Sequence, residues 1–296
     1  MKSNKIKKGF ADTLFHIVNN TLMIILAFIM LYPVYYVAIA SFSNAEQLVK
    51  FNGFLLKPLS PTLIAYQQAF KNPMILRGYA NTLFIVVTGV LLNLLLTSIG
   101  AYFLSRRNVK LGKPIMIMIT ITMFFSGGMI PFYFAVKSLG LDGTIWSLIF
   151  PSAINTFNLI IMRTSFSALP VSLEESAKID GAGHVRILVS IILPVSKAIL
   201  SVMVLYYAVF HWNSWFNAML FLSDREKYPL QLVLREILIQ NDTSNMMTSV
   251  GGEEQYSVGE SIKYAVIVIS TVPILCIYPF IQKYFVQGTM AGAVKG

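Results

Sequence analysis

The chain has 296 residues, of which 56% are apolar and 12% charged, about half the charged share of a soluble domain, which excludes a soluble globular protein. With a single cysteine, Cys276, the chain has no internal disulfide framework. Its three histidines are scattered and do not have the spacing of metal ligands. The net charge is +10, but the Lys and Arg residues lie between apolar runs and do not form the cluster that a nucleic-acid-binding groove requires.

Six apolar stretches long enough to cross a bilayer as helices follow one another along the chain. They cover roughly residues 15–43, 78–104, 114–136, 144–166, 191–222 and 261–285. Lysines precede the first stretch, as in a signal peptide, but the stretch continues past Pro33 and lacks a small-residue cleavage site, so we expect a retained anchor. The sequence predicts an all-α membrane protein in which residues 1–296 form a single domain with six transmembrane helices.

The distribution of charge predicts the orientation of these helices. With the N-terminus in the cytoplasm, fourteen of the 23 Lys and Arg residues but only four of the 13 Asp and Glu residues fall inside. Because cytoplasmic loops carry the excess of Lys and Arg, both termini are expected in the cytoplasm. Two long extracytoplasmic loops then cover about 44–77 and 223–260. The polar residues 240–245 of the second loop suit either a partner contact or a solvated linker.

The cytoplasmic loop at about 167–194 carries the most specific signals. Ser172 and Glu175 fit a capping box, and Glu174 and Glu175 favour a helix N-terminus. Gly181 is able to adopt the left-handed conformation that ends a helix. We therefore predict a two-turn helix, a sharp turn, and a second short helical stretch that leads to Pro194.

The spacing in this loop is that of a known motif. Glu175-Ser176-Ala177, Gly181 four residues later, and then Ile191, Leu193 and Pro194 resemble the EAA loop of binding-protein-dependent ABC importer permeases, with Ser176 at the second position of the motif in place of its first alanine. Further matching segments are Phe125–Pro131, Trp212–Asn217, Tyr228–Gln231 and Gly292–Gly296. Together they resemble the carbohydrate permeases of the complex-oligosaccharide branch, related to the second permease of maltose importers. The resemblance implies the type I ABC importer permease fold.

In that family the EAA helix couples the permease to a cytoplasmic ATPase, and the C-terminal tail reaches into the ATPase dimer. The implied coupling residues are Glu174, Glu175, Ser176, Ala177, Asp180, Gly181 and Ala182, and those of the tail are Gly292 and Lys295. The alternatives are that Glu175 only caps its helix, that Asp180 is only solvated, and that the tail is a flexible terminus without a contact. Since no Ser or Thr follows Lys295 in the glycine-rich tail and no strand precedes it, we expect no nucleotide site there. We also expect no cofactor and no catalytic site in this chain. ATP and Mg would bind to the separate ATPase.

A path for a sugar needs aromatic platforms beside amide and hydroxyl groups. Candidate path residues are Tyr133, Asn155, Asn158, Trp212, Asn213, Trp215 and Asn217. Trp212 and Trp215 are three residues apart and are expected to share a helix face. An interfacial aromatic belt and interhelical hydrogen bonds are the alternatives. No Asp or Glu falls in the middle of a predicted span, which disfavours coupling to protons or sodium.

The resemblance implies a permease subunit of an ATP-driven oligosaccharide importer in the bacterial cytoplasmic membrane. Its implied partners are a second, homologous permease in a heterodimer, an ATPase dimer and an extracytoplasmic solute-binding protein. The rival interpretations are a permease for peptides or amino acids, a secondary transporter, and a membrane scaffold that docks a cytoplasmic partner. Outer cations such as Arg225, Lys227 and Arg235 would favour acidic sugars, but the neutral outer balance leaves the charge of the sugar open.

Overall fold

The computed structural model describes residues 9–106, 108–239, 259, 261–277 and 279, and within these ranges all regular structure is helical. The helices are α1 (Phe10–Ser41), α2 (Ala45–Lys50), α3 (Ile64–Lys71), α4 (Pro73–Ser105), α5 (Gly112–Phe124), α6 (Met129–Ser138), α7 (Trp146–Ile149), α8 (Thr156–Ser167), α9 (Ser172–Ile179), α10 (His184–Ile187), α11 (Leu193–Val195), α12 (Lys197–Trp212), α13 (Phe216–Phe221), α14 (Leu230–Ile239) and α15 (Ser261–Ile277). A π-helical segment, Leu188–Ile192, joins α10 to α11, and 3₁₀ turns cover Phe150–Ser152 and Arg225–Lys227.

The described helices form two compact units. The first unit holds α1 to α3 and α15 up to Ile269, and the second holds α4 to α14 and the end of α15 from Ser270. In the first unit, α1 is almost entirely apolar after Thr21 and largely exposed, as expected of a helix whose surroundings are lipid or another protein. Its C-terminal end is fixed by hydrogen bonds between the hydroxyls of Tyr32 and Tyr35 and the backbone around Leu55.

Helix α4 is the centre of the second unit and packs against α8, α12 and α14. The side-chain amide of Asn93 donates to the carbonyl oxygens of Ser152 (2.6 Å) and Ala153 (2.9 Å), and its Oδ1 accepts from His211 (2.7 Å). Gly89 makes room for this contact, because a Cβ there would overlap the His211 ring. These bonds satisfy the backbone where the helix is broken before α8, as a bilayer requires.

Two of the predicted membrane stretches are single long helices. Helices α1 and α4 are each long and apolar enough to cross a bilayer, and α4 begins five residues earlier than expected. Two bent helix pairs, α5 with α6 at 119° and His184–Val195 with α12 at 87°, raise the number of spans to four if each pair crosses once. Length and composition thus establish an all-helical membrane protein and leave the count of six spans a prediction.

The other predicted stretches differ from continuous helices. The stretch at 114–136 is interrupted at 125–128, where Gly128 has φ +86°. The stretch at 144–166 is divided into α7, a 3₁₀ turn and α8. The stretch at 191–222 is bent by 87° at the break after Val195, and it is interrupted again between α12 and α13. Apolar runs report burial in lipid or protein, and they do not report where the backbone bends.

Candidate coupling site and translocation path

The loop that resembles the EAA motif folds as a short helix closed by a glycine turn. Helix α9 ends at Ile179 with Asp180 as its C-cap, and Gly181 has φ +78°, the left-handed conformation that the sequence predicted. Gly181 N donates to Lys178 O (3.0 Å) and Ala182 N to Ala177 O (2.9 Å). This pair of bonds is the Schellman arrangement, which satisfies the last carbonyls of a helix. The predicted capping box is wrong, since Ser172 lies inside the first turn and no side chain caps the helix.

Helix α9 is fixed to the end of α4 by a buried ion pair. Glu174 is 6% exposed and pairs with the guanidinium of Arg106, which directly follows α4. The second carboxylate oxygen of Glu174 accepts from Lys178 Nζ at 2.9 Å. Arg106 also donates to Phe166 O at the end of α8 and lies over the Tyr102 ring, 4.8 Å from its centroid. One arginine therefore joins α4, α8 and α9.

Electrostatics keep this pair ionised at neutral pH. Burial alone would raise the pKa of Glu174, but the hydrogen bonds from Lys178 and Arg106 and the charges of both outweigh it and hold the pKa below its usual value. The carboxylate is therefore an anion at neutral pH and is compensated on both sides.

A second contact fixes the start of α10. The Tyr102 hydroxyl lies 3.1 Å from His184 Nδ1 in a hydrogen bond, and the two rings meet edge to face. Arg163 Nε donates to Leu104 O at 3.1 Å, which further ties α8 to the end of α4. A cavity of about 1060 Å³ lies among the ends of α4 and α8, α9 and the segment after α10. The loop that resembles the EAA motif is thus attached to its unit at two points, Glu174 and His184.

The predicted coupling residues divide between the two faces of the loop. Glu174 and Ala177 are buried, Ala182 is half-buried, and Glu175, Ser176, Asp180 and Gly181 are exposed. Ile179 on the exposed side is 87% exposed, which is unusual for an aliphatic residue in a polar helix.

Sequence reasoning missed four residues of this site. Ile179 and Val185 are the exposed apolar ones, and Arg106 and Tyr102 are the anchors. The position of Arg106 at the end of a predicted span was the one sequence signal that could have identified it. The tail residues Gly292 and Lys295 lie outside the described residues. No group of three His, Cys, Asp or Glu side chains that could hold a metal occurs in the part of the chain that the structure describes.

The two tryptophans of the predicted path do not share a helix face. Helix α12 ends at Trp212, which is 5% exposed, donates Nε1–H to Ser270 O at 3.2 Å and meets Tyr79 edge to face. Trp215 follows the break between α12 and α13 and is 38% exposed. Trp212 therefore has a packing role, and Trp215 presents an accessible ring.

The remaining path residues lie at helix breaks. Asn213 is exposed and donates to Val209 O at 2.9 Å, and Asn217 is half-buried in α13. Asn155 is exposed, and its Oδ1 caps α8 by accepting from the backbone of the buried Asn158 at 3.1 Å. Tyr133 is half-buried and stacks on Phe221, the last residue of α13, at 5.8 Å. The structure thus brings Asn213 and Trp215 together at one break and connects Tyr133 to the far end of α13.

Comparison with known proteins identifies the class. Residues 98–290 match the family described as binding-protein-dependent transport system inner membrane component. The chain belongs to this family of permease subunits of ABC transporters, which reside in the bacterial cytoplasmic membrane. Members of the family are membrane subunits that work with other transporter components.

Individual relatives are similar over nearly the whole chain. The polygalacturonan/rhamnogalacturonan transport system permease protein YtcP of Bacillus subtilis (strain 168) is 42% identical over 279 residues, which cover 93% of this chain and 96% of YtcP. Protein LplC of the same organism is 43% identical over 267 residues, 89% of each chain. A chain from the crystal structure of a bacterial ABC transporter involved in the import of the acidic polysaccharide alginate superposes with a TM-score of 0.86. It is 32% identical, and the match covers 95% of this chain and 100% of that one.

Proposed function

We propose that this chain is one half of the translocation path of an ATP-driven oligosaccharide importer and that α9 docks on a separate cytoplasmic ATPase. The observation that carries the proposal is the attachment of α9. The helix is held to its own unit by the Glu174–Arg106 pair and presents Ile179 and Asp180 outward. A loop with no role would need neither a buried ion pair behind it nor an exposed isoleucine in front.

Docking would bury Ile179 in an apolar cleft of the ATPase, with Glu175 and Asp180 at the rim of the contact. Rim charges of this kind steer and orient an interface more than they tighten it. Because Arg106 connects α9 to α4 and α8, a displacement of α9 would move these helices as one body. Alternating access driven by ATP in the partner subunit would follow from this connection.

The topology we propose has six crossings, with both termini in the cytoplasm: α1, α4, the two bent helix pairs counted as one crossing each, and the stretches at 144–166 and 261–285. The positive-inside bias supports it. The single cysteine of the sequence makes the topology testable. In a Cys276→Ser background, a cysteine at Asp180 should react with an impermeant maleimide only in inside-out vesicles, and one at Asp224 only in right-side-out vesicles. The reverse pattern would contradict the orientation.

The substrate would pass the break between α12 and α13. Non-helical backbone at membrane depth is tolerated where it lines protein or a wet cavity, and here it carries the exposed Asn213 and Trp215. An exposed indole beside an amide suits the CH face and hydroxyls of a sugar ring. The names of YtcP and of the alginate importer, both polysaccharide transport systems, support an oligosaccharide as the cargo.

The complete importer would contain a second homologous permease, an ATPase dimer that binds ATP and Mg, and an extracytoplasmic binding protein. We would assemble these components in lipid nanodiscs and measure ATP hydrolysis against a panel of neutral and acidic oligosaccharides. Stimulation by a sugar through the binding protein is expected, and Ile179→Asp should abolish it. The matched control Leu56→Asp makes the same change from an aliphatic residue to Asp at a position that is also exposed, 69%, but lies in a predicted outer loop. Absence of stimulation by any sugar, with no ATPase copurifying, would favour the scaffold interpretation.

A further inference from the structure

The basic residues of the outer segment after α13 differ in whether a carboxylate compensates them. Arg225 pairs with Glu236 at 2.7 Å, and Lys227 lies 3.6 Å from Asp224 and donates to a backbone carbonyl. Arg235 has no carboxylate partner and no hydrogen-bond acceptor among the residues that the structure describes. Of the three outer cations that the sequence offered to an acidic sugar, Arg235 is the one that no carboxylate among the described residues compensates.

The guanidinium of Arg235 lies over the ring of Trp215, 5.0 Å from its centroid. Stacking on an indole orients the side chain, so less rotamer entropy is lost when its donors engage a ligand. The N–H groups of a guanidinium lie at the edge of its plane, where they form the fork that fits a carboxylate. Arg235 is therefore oriented for a carboxylate that the described residues do not supply.

A second cation–aromatic pair, Lys137 with Tyr133, is an example of such a contact with only a packing role. Lys137 Nζ lies 5.6 Å from the centroid of the Tyr133 ring, and this ring also stacks on Phe221 at an interplanar angle of 5°. Lys137 and Phe221 thus both contact Tyr133, whereas the other ring contact of Trp215 is edge-on, with Phe216. An accessible ring with an oriented guanidinium occurs at Trp215.

We propose that Trp215 and Arg235 form a subsite for an acidic sugar, in which the indole contacts the pyranose ring and the guanidinium binds the uronate carboxylate. The inference rests on the proposed function and narrows its substrate class to uronate-containing oligosaccharides. The subsite lies beside the α12–α13 break, where Asn213 supplies an exposed amide for the hydroxyls. A cation–π contact that only holds α14 on α13 is the rival explanation.

The test is a double cycle in which Arg235 is changed in the protein and the carboxylates are removed from the ligand. The assembled transporter in nanodiscs, without binding protein, is titrated with trigalacturonate and with its carboxyl-reduced, neutral counterpart. Wild type, Arg235→Gln and the matched control Lys137→Gln are compared. Charged hydrogen bonds are stronger than neutral ones, so we expect Arg235→Gln to raise the Kd for trigalacturonate about tenfold and to leave the Kd for the neutral trisaccharide within about twofold. Lys137→Gln should change neither Kd.

If Arg235→Gln raises the Kd of both ligands equally, or changes neither Kd, the proposed subsite is overturned. The cation–π contact would then only hold α14 on α13. The same cycle separates a sugar carboxylate from an acidic side chain of the binding protein, because no binding protein is present. A transporter whose ATPase responds to neutral sugars alone would refute the uronate assignment while leaving the importer intact. If wild type binds neither ligand and no sugar stimulates ATP hydrolysis, the proposed function itself fails.

Discussion

Replacing Glu174 by Gln removes the charge that holds α9 against the end of α4 while the side-chain size stays the same. The carboxyl side chain is 8% exposed and contacts Arg106 and Lys178, whose side chains are 16% and 43% exposed. Removing one member of a buried ion pair costs about 3 to 5 kcal/mol, and an exposed pair contributes less than about 1 kcal/mol. Because Gln still accepts a hydrogen bond from Arg106, we expect the lower value, about 3 kcal/mol.

Amide hydrogen exchange measures this loss directly. A loss of about 3 kcal/mol raises the local opening equilibrium on the order of a hundredfold, since about 1.4 kcal/mol corresponds to tenfold. We would measure exchange on the permease pair in nanodiscs without the ATPase, so that docking does not protect α9. The amides of α9 should exchange about a hundredfold faster in Glu174→Gln, and those of α12 should not change.

Glu175→Gln is the matched control, because it is the same substitution one residue later on the exposed face. It should leave the exchange of α9 within about twofold of wild type, as most surface substitutions do. Equal effects of the two variants would refute the anchoring role of Glu174. The double variant Arg106→Gln/Glu174→Gln should cost less than the sum of the single ones, and strict additivity would also contradict a direct pair.

Three further predictions concern neighbouring features. The pKa of Glu174 is lowered in the folded state, so its contribution is present above the usual carboxylate pKa and is lost as the pH falls through the lowered value; the protection of α9 should fall there, and Glu174→Gln should abolish that dependence. Gly181→Ala places a side chain at φ +78° and should cost about 1 kcal/mol, seen as roughly fivefold faster exchange, whereas Gly183→Ala, at φ −73°, should cost little. Asn93→Leu leaves two carbonyls at the break before α8 without their donor and should cost about 2 kcal/mol or more, measured as a lower unfolding midpoint of the complex; an unchanged midpoint would contradict this network.

The features that the sequence predicts correctly are those encoded within a few residues. The left-handed turn at Gly181 follows from local chain chemistry, and the two longest helices follow from uninterrupted apolar length. The motif spacing between Glu175 and Pro194 likewise lies within one loop, which is why the family was apparent before the fold.

The features that the sequence leaves open depend on residues far apart in the chain. Glu174 and its partner Arg106 are separated by 68 residues, and no local pattern reveals that the acidic pair of α9 divides into one buried and one exposed member. Trp212 and Trp215 differ in burial because the helix ends between them, and this break is set by packing and not by hydropathy. Likewise, Glu236 pairs with Arg225, eleven residues away, and not with its neighbour Arg235, for which the described residues supply no carboxylate.

The central claim is that this chain carries sugar across the membrane in response to ATP and that α9 transmits the response. The most direct measurement is uptake of a labelled oligosaccharide into proteoliposomes that hold the permease pair and its ATPase, with ATP inside and the loaded binding protein outside. We expect accumulation above the external concentration that requires both ATP and binding protein and is abolished by Ile179→Asp in a complex that still assembles. Accumulation that survives Ile179→Asp unchanged, or none in wild type with any sugar, would contradict the account.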